Sequence, residues 1–259
     1  MKPRSKSVKP IALITGATSG IGRATAIRLA KEEYRLILTA RRTVNLKQLG
    51  DYLRDQYKTS CYTYPLDVRS LSGIERFMED LPEEWRPIGI LVNNAGLAAG
   101  LDYIQEGSTD DWDQMIDTNI KGLLYMTRLV VPGMIERKKG HIINVGSIAG
   151  KEVYPKGAVY CATKHAVEAL TRGMRQDLVQ HGIKVSSVCP GAVETEFSLV
   201  RFKGDEERAA KVYEGFTPLQ AEDVASVVHY IISRPAHVNI QDVLNMPTAQ
   251  ASASLINKK

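Results

Sequence analysis

Short apolar segments alternate with longer amphipathic segments along this 259-residue chain. The short segments, rich in Ile, Leu and Val, are typical of strands that are buried on both faces of a parallel sheet. The longer segments carry their apolar residues at the period of a helix. Strands are predicted at residues 11–15, 35–40, 61–68, 88–94, 141–147, 183–190 and 238–246, and helices at residues 22–33, 45–57, 72–81, 109–139, 160–181 and 221–234.

This alternation predicts an α/β fold in which helices cover both faces of a parallel sheet. No linker, repeat or change of composition divides the chain. We therefore predict a single Rossmann-like, doubly wound domain over residues 1–259. Its basic first nine residues are predicted to be a flexible lead-in.

Composition narrows the class of protein. Hydrophobic residues make up 44% and charged residues 24% of the chain, as in ordinary soluble domains. No apolar run approaches the roughly 18 residues of a membrane span, and no apolar stretch with a cleavage site follows the basic N-terminus. The three cysteines lack metal-type spacing and suggest reduced thiols in a cytoplasmic protein.

The net charge of +5 does not by itself indicate nucleic-acid binding. Lys and Arg residues are scattered, and no basic motif interleaved with aromatic residues is present. A basic balance also suits a protein that handles anionic cofactors and substrates. Neither a nucleic acid nor a membrane is expected as a partner. The five histidines show no ligand spacing, so no metal is expected.

A glycine-rich turn, TGATSGIG at residues 15–22, joins the first predicted strand to the first helix. Its glycines allow the backbone to approach a pyrophosphate, and the helix offers free N–H groups and a positive dipole end. Glycines can also serve the turn alone, but doubly wound folds bind dinucleotides at this position. The predicted cofactor contacts in the turn are Gly16, Thr18, Ser19, Gly20, Ile21 and Gly22.

The second predicted strand ends in TARR, where NAD sites commonly carry an acid for the ribose 2′-hydroxyl. Arg41 and Arg42 would instead hold a 2′-phosphate through charge-assisted hydrogen bonds. Two arginines at a helix start can also be merely solvated. The pattern favours NADP over NAD as the cofactor.

Tyr160 and Lys164 are one turn apart on a predicted helix, so their side chains share a face. A phenol is a poor acid at neutral pH, with an ordinary pKa of about 10. A neighbouring ammonium would favour the phenolate and lower this pKa. An isolated pair at this spacing is usually structural, so its role depends on the rest of the chain.

Seven motifs follow one another over nearly the whole chain: TGATSGIG, LDV, NNAG, DTNIKG, NVGS, YCATK and CPGAVETEF. Together they resemble the classical short-chain dehydrogenase/reductase family. The resemblance implies a seven-stranded parallel sheet flanked by helices, and hydride transfer between a dinucleotide and a CH–OH group. It also implies a homotetramer built through two long helices and the C-terminal segment.

By this resemblance, Tyr160 is the general acid/base, and Lys164 supports the phenolate and holds the nicotinamide ribose. Ser147 would bind the substrate oxygen, and Asn119 would interrupt its helix and position a water that links Lys164 to solvent. Asn93 is expected to tie neighbouring strands together. The other cofactor contacts that the family implies are Asp67, Val68, Asn94, Ala95, Gly96, Pro190, Gly191, Val193 and Thr195.

The segment at about residues 196–216 is predicted to be a lid over the substrate. With PAHVNIQDVLNMPTAQ, it is similar to NADP-dependent 3-hydroxy acid dehydrogenases, including those acting on serine and allo-threonine. A small anionic substrate needs a cation, for which Arg201, Lys151 and Lys203 are candidates. Arg201 is preferred because a guanidinium binds a carboxylate at two points.

Three other functions remain open at this point. A 3-oxoacyl thioester reductase would share the fold, and a sulfonate aldehyde reductase would use the same cations. A protein that binds NADPH as a sensor, without turnover, is the non-enzymatic alternative. The complete set of Asn119, Ser147, Tyr160 and Lys164 favours an enzyme.

Overall fold

Residues 9–259 are described by a computed structural model whose central feature is a parallel sheet. Its strands, and a short pair outside it, are β1 (Ile11–Thr15), β2 (Arg35–Ala40), β3 (Cys61–Pro65), β4 (Ile88–Asn93), β5 (Gly140–Val145), β6 (Ile183–Pro190), β7 (Val193–Glu194), β8 (Leu219–Gln220) and β9 (Asp242–Asn245). The main sheet has seven strands in the order β3-β2-β1-β4-β5-β6-β9. Every pair of neighbouring strands in this sheet is parallel, so the predicted seven-stranded parallel sheet is confirmed.

Helices cover both faces of this sheet. They are α1 (Gly20–Lys31), α2 (Thr43–Tyr57), α3 (Leu71–Asp80), α4 (Thr109–Ile116), α5 (Leu123–Glu136), α6 (Ala158–Leu178), α7 (Phe197–Arg201), α8 (Glu206–Lys211) and α9 (Ala221–Ile232). One apolar core unites α1, α2 and α9 with the sheet, and a second unites α3, α5 and the end of α6 with its other side.

Strand β1 shows why the buried strands read as unbroken apolar runs. Ala12 and Ile14 belong to the first core, whereas Ile11 and Leu13 belong to the second. Successive side chains of a strand point to opposite faces, so both faces must be apolar when both are covered.

The strand order reverses beside β1, which pairs with β2 on one side and β4 on the other. The chain therefore leaves β1 in one direction and later returns to build the sheet in the other. In open α/β sheets this reversal opens a crevice at the carboxyl ends of the strands. The predicted cofactor residues lie along that crevice.

The predicted helix at residues 109–139 is not continuous. It consists of α4, a π-helical turn at Asp117–Gly122 and α5. Asn119 lies in the π-helical turn, as the expected local interruption requires. Such wide turns shift the side chains that follow and occur frequently at functional sites.

Other element boundaries also differ from the predicted ones. Strand β3 ends at Pro65 rather than at residue 68, and β9 covers only four residues of the predicted 238–246. The parallel pair β7–β8 was not predicted, since two-residue strands leave no periodic pattern. The segment 196–216 contains the short helices α7 and α8.

The predicted lead-in at residues 1–9 lies almost wholly outside the described residues. Within residues 9–259, no helix combines the length and apolar character needed to cross a bilayer.

All three cysteines are free thiols. Cys161 and Cys189 are buried, and Cys61 is partly buried. Burial raises the pKa of Cys61 and Cys189 to about 12, and it also raises the pKa of Cys161.

Candidate active site

The glycine-rich turn folds against the end of β4. Gly16 has a φ of +65°, a backbone conformation that residues with a Cβ rarely adopt. A Cβ on Gly22 would lie 2.4 Å from both the Gly16 carbonyl oxygen and Asn94 Nδ2. Asn94 Nδ2 donates hydrogen bonds to the carbonyl oxygens of Thr15 and Gly16. The predicted residue Asn94 therefore stabilises the turn.

The N-terminus of α1 is open toward the crevice. Ser19 occupies the N-cap position but its side chain makes no capping hydrogen bond, and the first turn holds no acidic residue. The free N–H groups and the positive end of the helix dipole are therefore available to an anion. This arrangement fits the pyrophosphate of a dinucleotide.

The arginine pair after β2 lies at one end of the same groove. Arg42 is the N-cap residue of α2, and its Nε and Nη2 each lie 3.3 Å from Thr18 Oγ1. Its Nη1 lies 2.9 Å from Glu196 Oε2, in the segment 196–216. Arg41 is exposed and borders the groove. A 2′-phosphate at this end would meet both guanidinium groups.

Most predicted cofactor residues border one continuous groove, and Gly22 supports it from behind. The groove residues that were predicted are Gly16, Thr18, Ser19, Gly20, Ile21, Arg41, Arg42, Asp67, Val68, Asn94, Ala95, Gly96, Ser147, Tyr160, Lys164, Pro190, Gly191, Val193 and Thr195. Groove residues that sequence reasoning did not name are Ala40, Leu66, Leu97, Thr118, Val145, Gly146, Glu196, Phe197 and Val200. Glu196, Phe197 and Val200 belong to the segment predicted to be a lid, but only contacts across the fold reveal that they reach the cofactor groove.

Asp67, expected beside the adenine, is held by a neighbour. Arg69 Nε lies 3.0 Å from both carboxylate oxygens of Asp67, and its Nη2 lies 2.6 Å from Oδ2. These hydrogen bonds lower the pKa of Asp67 against the opposing effect of burial. The carboxylate is thus charged and paired at the groove wall.

Tyr160 and Lys164 lie in the buried part of the groove, in the first two turns of α6. Lys164 Nζ is 5.9 Å from the centroid of the Tyr160 ring and donates to the Val145 carbonyl oxygen at 2.9 Å. Burial lowers the pKa of Lys164 to about 8. The ammonium is therefore close to its own titration at neutral pH.

The acidification of the phenol that is expected from Lys164 and the oxidised nicotinamide together stays a prediction. Burial raises the pKa of Tyr160, and the charge of Arg201 and a hydrogen bond with Ser147 offset this only in part. Removing the phenolate from water outweighs the attraction of nearby cations. The sequence could place the lysine near the phenol but could not reveal how deeply both are buried.

Ser147 follows β5 and precedes a single 3₁₀ turn at Ile148–Gly150. Its Oγ accepts a hydrogen bond from the Ala149 N–H at 3.1 Å. This bond leaves the serine hydroxyl hydrogen to be donated either to the Tyr160 oxygen or to a substrate oxygen in the groove.

Asn119 ties three elements together. Its Nδ2 donates to the Leu97 carbonyl oxygen at 2.8 Å and to Thr163 Oγ1 at 3.0 Å, and its Oδ1 accepts from the Leu97 N–H at 2.9 Å. Both amide hydrogens are used, so this side chain joins the chain after β4 to α6. The expected water link to Lys164 stays a prediction.

Asn93 plays the expected structural role. Its Nδ2 donates to Asn144 Oδ1 on β5 and to Thr127 Oγ1 on α5, each at 3.0 Å. The prediction that Asn93 joins neighbouring strands is confirmed.

Arg201, the preferred substrate cation, lies beside Tyr160. Its guanidinium carbon is 5.6 Å from the Tyr160 ring centroid and 5.5 Å from that of Tyr154. Its Nε donates to the Gly100 carbonyl oxygen at 3.1 Å, and its own carbonyl accepts from the Gly100 N–H. Arg201 and Tyr160 also share a small pocket with Trp112. A fixed cation therefore stands next to the phenol.

The two lysine candidates are occupied elsewhere, which corrects the assignment of Lys151 to the substrate. Lys151 Nζ lies 2.7 Å from Glu168 Oε2 and 2.5 Å from Asp242 Oδ2, and it does not border the groove. Lys203 lies 2.9 Å from Asp111 Oδ2. Asp242, one of the two partners of Lys151, is 91 residues away in sequence. The sequence pattern could therefore not predict this contact.

A parallel α/β fold, an open helix N-terminus at the first glycine turn and a buried Tyr–Lys–Ser group together define a dinucleotide-dependent oxidoreductase. The chain belongs to the short chain dehydrogenase family, whose model matches residues 10–205.

Named relatives are similar over almost the entire chain. The NADP-dependent 3-hydroxy acid dehydrogenase YdfG of Salmonella typhi is 48% identical over 246 residues, which cover 95% of this chain and 98% of that protein. Sulfoacetaldehyde reductase 2 of Chromohalobacter salexigens is 46% identical, over 93% of this chain and 95% of that one. A closed form of serine dehydrogenase complexed with NADP⁺ superposes with a TM-score of 0.91 at 46% identity, covering 96% of this chain and 99% of the other.

Proposed function

We propose that this protein is an NADP-dependent oxidoreductase that transfers hydride between NADP(H) and a small 3-hydroxy acid, or the corresponding carbonyl compound. Serine, allo-threonine, 3-hydroxypropionate and 3-hydroxybutyrate represent the substrate class. The observation that carries this proposal is the guanidinium of Arg201, 5.6 Å from the ring centroid of Tyr160. A carboxylate bound there would bring a β-hydroxyl within reach of the phenol.

The choice of NADP follows from Arg41, Arg42 and Thr18 at one end of the groove. Two guanidinium groups and a hydroxyl suit a doubly charged phosphate, and Asp67 is already paired with Arg69. The relatives named for NADP support the same choice.

When bound, the nicotinamide supplies or accepts the hydride at the substrate carbon. In the reducing direction, Tyr160 donates its phenolic proton to the carbonyl oxygen, and Ser147 donates a hydrogen bond to the same atom. Lys164 lies beneath the ring and holds positive charge near the phenol. In the oxidising direction, a hydrogen bond from Ser147 and the charge of Arg201 favour the phenolate against the cost of burial.

The segment 196–216 is proposed to be the lid, because it supplies Arg201 and contributes Phe197 and Val200 to the groove wall. The single domain over residues 1–259 is proposed on the unbroken alternation of strands and helices, the cytoplasmic location on the pattern of cysteines, and the homotetramer on the family resemblance. Light scattering of the purified protein tests the tetramer directly.

A spectrophotometric screen tests the proposed function. Small 3-hydroxy acids, hydroxy amino acids, uncharged alcohols and sulfonates are offered with NADP⁺ and with NAD⁺. We expect the highest kcat/KM for a 3-hydroxy acid with NADP⁺. Arg201→Ala should raise KM for that acid much more than for an uncharged alcohol, because only the acid needs the cation. Equal kcat/KM with both nucleotides, or equal KM changes for both substrates, would contradict the proposal.

Reduction of a small sulfonate aldehyde is the second candidate. The 46% identity to a sulfoacetaldehyde reductase favours it, and Arg201 would suit a sulfonate as well as a carboxylate. Competing substrates in the same screen separate the two. Turnover of 3-oxoacyl thioesters above that of free acids would favour the thioester reductase, and NADPH binding without any turnover would favour the sensor.

A further inference from the structure

An ion pair crosses the cofactor groove at the end proposed for the 2′-phosphate. Arg42 Nη1 and Glu196 Oε2 are 2.9 Å apart, although the residues are separated by 154 positions. Arg42 stands at the start of α2, and Glu196 precedes α7 in the proposed lid. Both residues border the groove, so the pair joins its two sides.

The same guanidinium has its remaining nitrogens engaged. Its Nε and Nη2 both face Thr18 Oγ1, so Glu196 takes the third nitrogen. A phosphate that used Arg42 would approach a carboxylate of its own charge. The side chains of Arg42 and Glu196 are 44% and 50% exposed. An ion pair so accessible to water is weak and readily exchanged.

Glu196 is the acidic residue at this end of the groove that pairs with Arg42, a residue of the proposed phosphate site. The other acid on the groove wall, Asp67, accepts hydrogen bonds from Arg69 at both of its carboxylate oxygens. Thr195, next to Glu196, packs against the glycine turn, where a Cβ on Gly20 would lie 3.2 Å from Thr195 Cγ2. The backbone before Glu196 is therefore fixed beside the groove.

We propose that Glu196 competes with the cofactor 2′-phosphate for Arg42, so that Glu196 limits the affinity for NADP(H) and the phosphate detaches the lid from α2. This inference rests on the proposed phosphate site at Arg41 and Arg42. NAD(H) lacks the 2′-phosphate and leaves the ion pair intact. Glu196 is thus a specificity-determining residue: it weakens the binding of NADP(H) and leaves the binding of NAD(H) unchanged.

The test compares Glu196→Gln with the wild type, since glutamine keeps the shape and removes the charge. Dissociation constants are measured for NADPH and NADH by fluorescence titration, and for 2′,5′-ADP and 5′-AMP by calorimetry. We expect NADPH and 2′,5′-ADP to bind about two- to five-fold more tightly, the range set by an exposed ion pair. NADH and 5′-AMP should bind as before.

Glu194→Gln is the matched control. Glu194 is another exposed acid two residues earlier, and its Oε2 accepts from Gln220 Nε2 at 3.1 Å rather than facing Arg42. It should change none of the four dissociation constants. Unchanged or weaker NADPH binding in Glu196→Gln, or an equal gain for NADH, would overturn the inference.

Arg42→Ala separates this inference from the cofactor site on which it rests. If Arg42→Ala weakens NADPH but not NADH, the phosphate site is supported, and Glu196→Gln should then have no effect in that background. A persisting effect of Glu196→Gln there would overturn the competition alone. If Arg42→Ala leaves the NADPH-to-NADH ratio unchanged, both proposals fail.

Discussion

At the scale of single residues, burial governs the chemistry of the Tyr160–Lys164 pair. It raises the pKa of the phenol and lowers the pKa of the ammonium to about 8. Both shifts disfavour charge, as expected for groups taken out of water. A phenol whose pKa is raised by burial is protonated at neutral pH and can act as a proton donor.

Tyr160→Phe should retain NADPH binding and lose about 10²- to 10⁴-fold in kcat, the usual contribution of a general acid. The ring, its packing against Phe197 and the neighbouring lysine remain, so only the proton donor disappears. Fluorescence titration gives the binding constant, and steady-state kinetics gives kcat.

Tyr154→Phe is the control for that substitution, because Tyr154 also packs beside Arg201 and has a burial-raised pKa. Its effect on kcat should be far smaller. A kcat of Tyr160→Phe equal to that of the wild type would disprove the proposed role.

The catalytic roles of Tyr160, Lys164 and Ser147 stay predictions, but their placement in one groove could be predicted from sequence because motif spacing carries it. The direction of the phenol's pKa shift could not, because burial depends on elements from distant parts of the chain. Lys151 illustrates the same limit, since its two acidic partners lie 17 and 91 residues away.

At the scale of elements, Lys151 joins three parts of the site. It follows the 3₁₀ turn after Ser147, and its ammonium contacts Glu168 on α6 and Asp242 on β9. Burial opposes the charge on Lys151, but the hydrogen bonds that its ammonium donates to the two carboxylates outweigh burial and raise the lysine pKa. The serine loop is thus anchored by charge.

Lys151→Met should destabilise the protein by roughly 2–4 kcal/mol, because it leaves the buried Glu168 carboxylate without its main partner. This loss of stability is smaller than that expected for breaking a fully buried ion pair, because Asp242 is partly exposed. Urea unfolding measures the change. The double variant Lys151→Met/Glu168→Gln should recover part of the loss.

Lys121→Met is the matched control, since Lys121 forms an exposed pair with Asp117. It should have a much smaller effect on stability. If Lys151→Met instead raised KM for 3-hydroxy acids selectively and left stability unchanged, the lysine would act on the substrate.

The order and type of the long elements could be predicted because their apolar periods extend over many residues. The π-helical turn at Asp117–Gly122 could not be placed by periodicity, since one extra residue per turn shifts the pattern only locally. The strands β7 and β8 could not be predicted either, because two residues are too few to show the alternation of a strand.

At the scale of the whole molecule, a buried histidine couples global stability to pH. His141 lies in β5, and its Nε2 is 2.9 Å from Ser186 Oγ. Burial, with help from the charge of Lys184, lowers the pKa of His141 from 6.5 to about 3. The folded protein therefore holds this ring neutral where the unfolded chain would protonate it.

Stability should fall as the pH falls from about 6.5 toward 3. In this range the unfolded state binds a proton at His141 and the folded state does not. His141→Gln should reduce the slope of unfolding free energy against pH by up to about 1.4 kcal/mol per pH unit in this window. Urea unfolding at a series of pH values measures it. Identical slopes for both proteins would show that His141 does not contribute.

The three thiols have a consequence for handling the protein. Their raised pKa values keep them protonated at neutral pH, and only a thiolate reacts quickly with alkylating reagents or peroxide. Iodoacetamide should therefore leave the native chain almost unlabelled while modifying it readily in urea. Storage in air without a reducing agent should cost little activity, even though Cys161 directly follows the proposed proton donor in sequence.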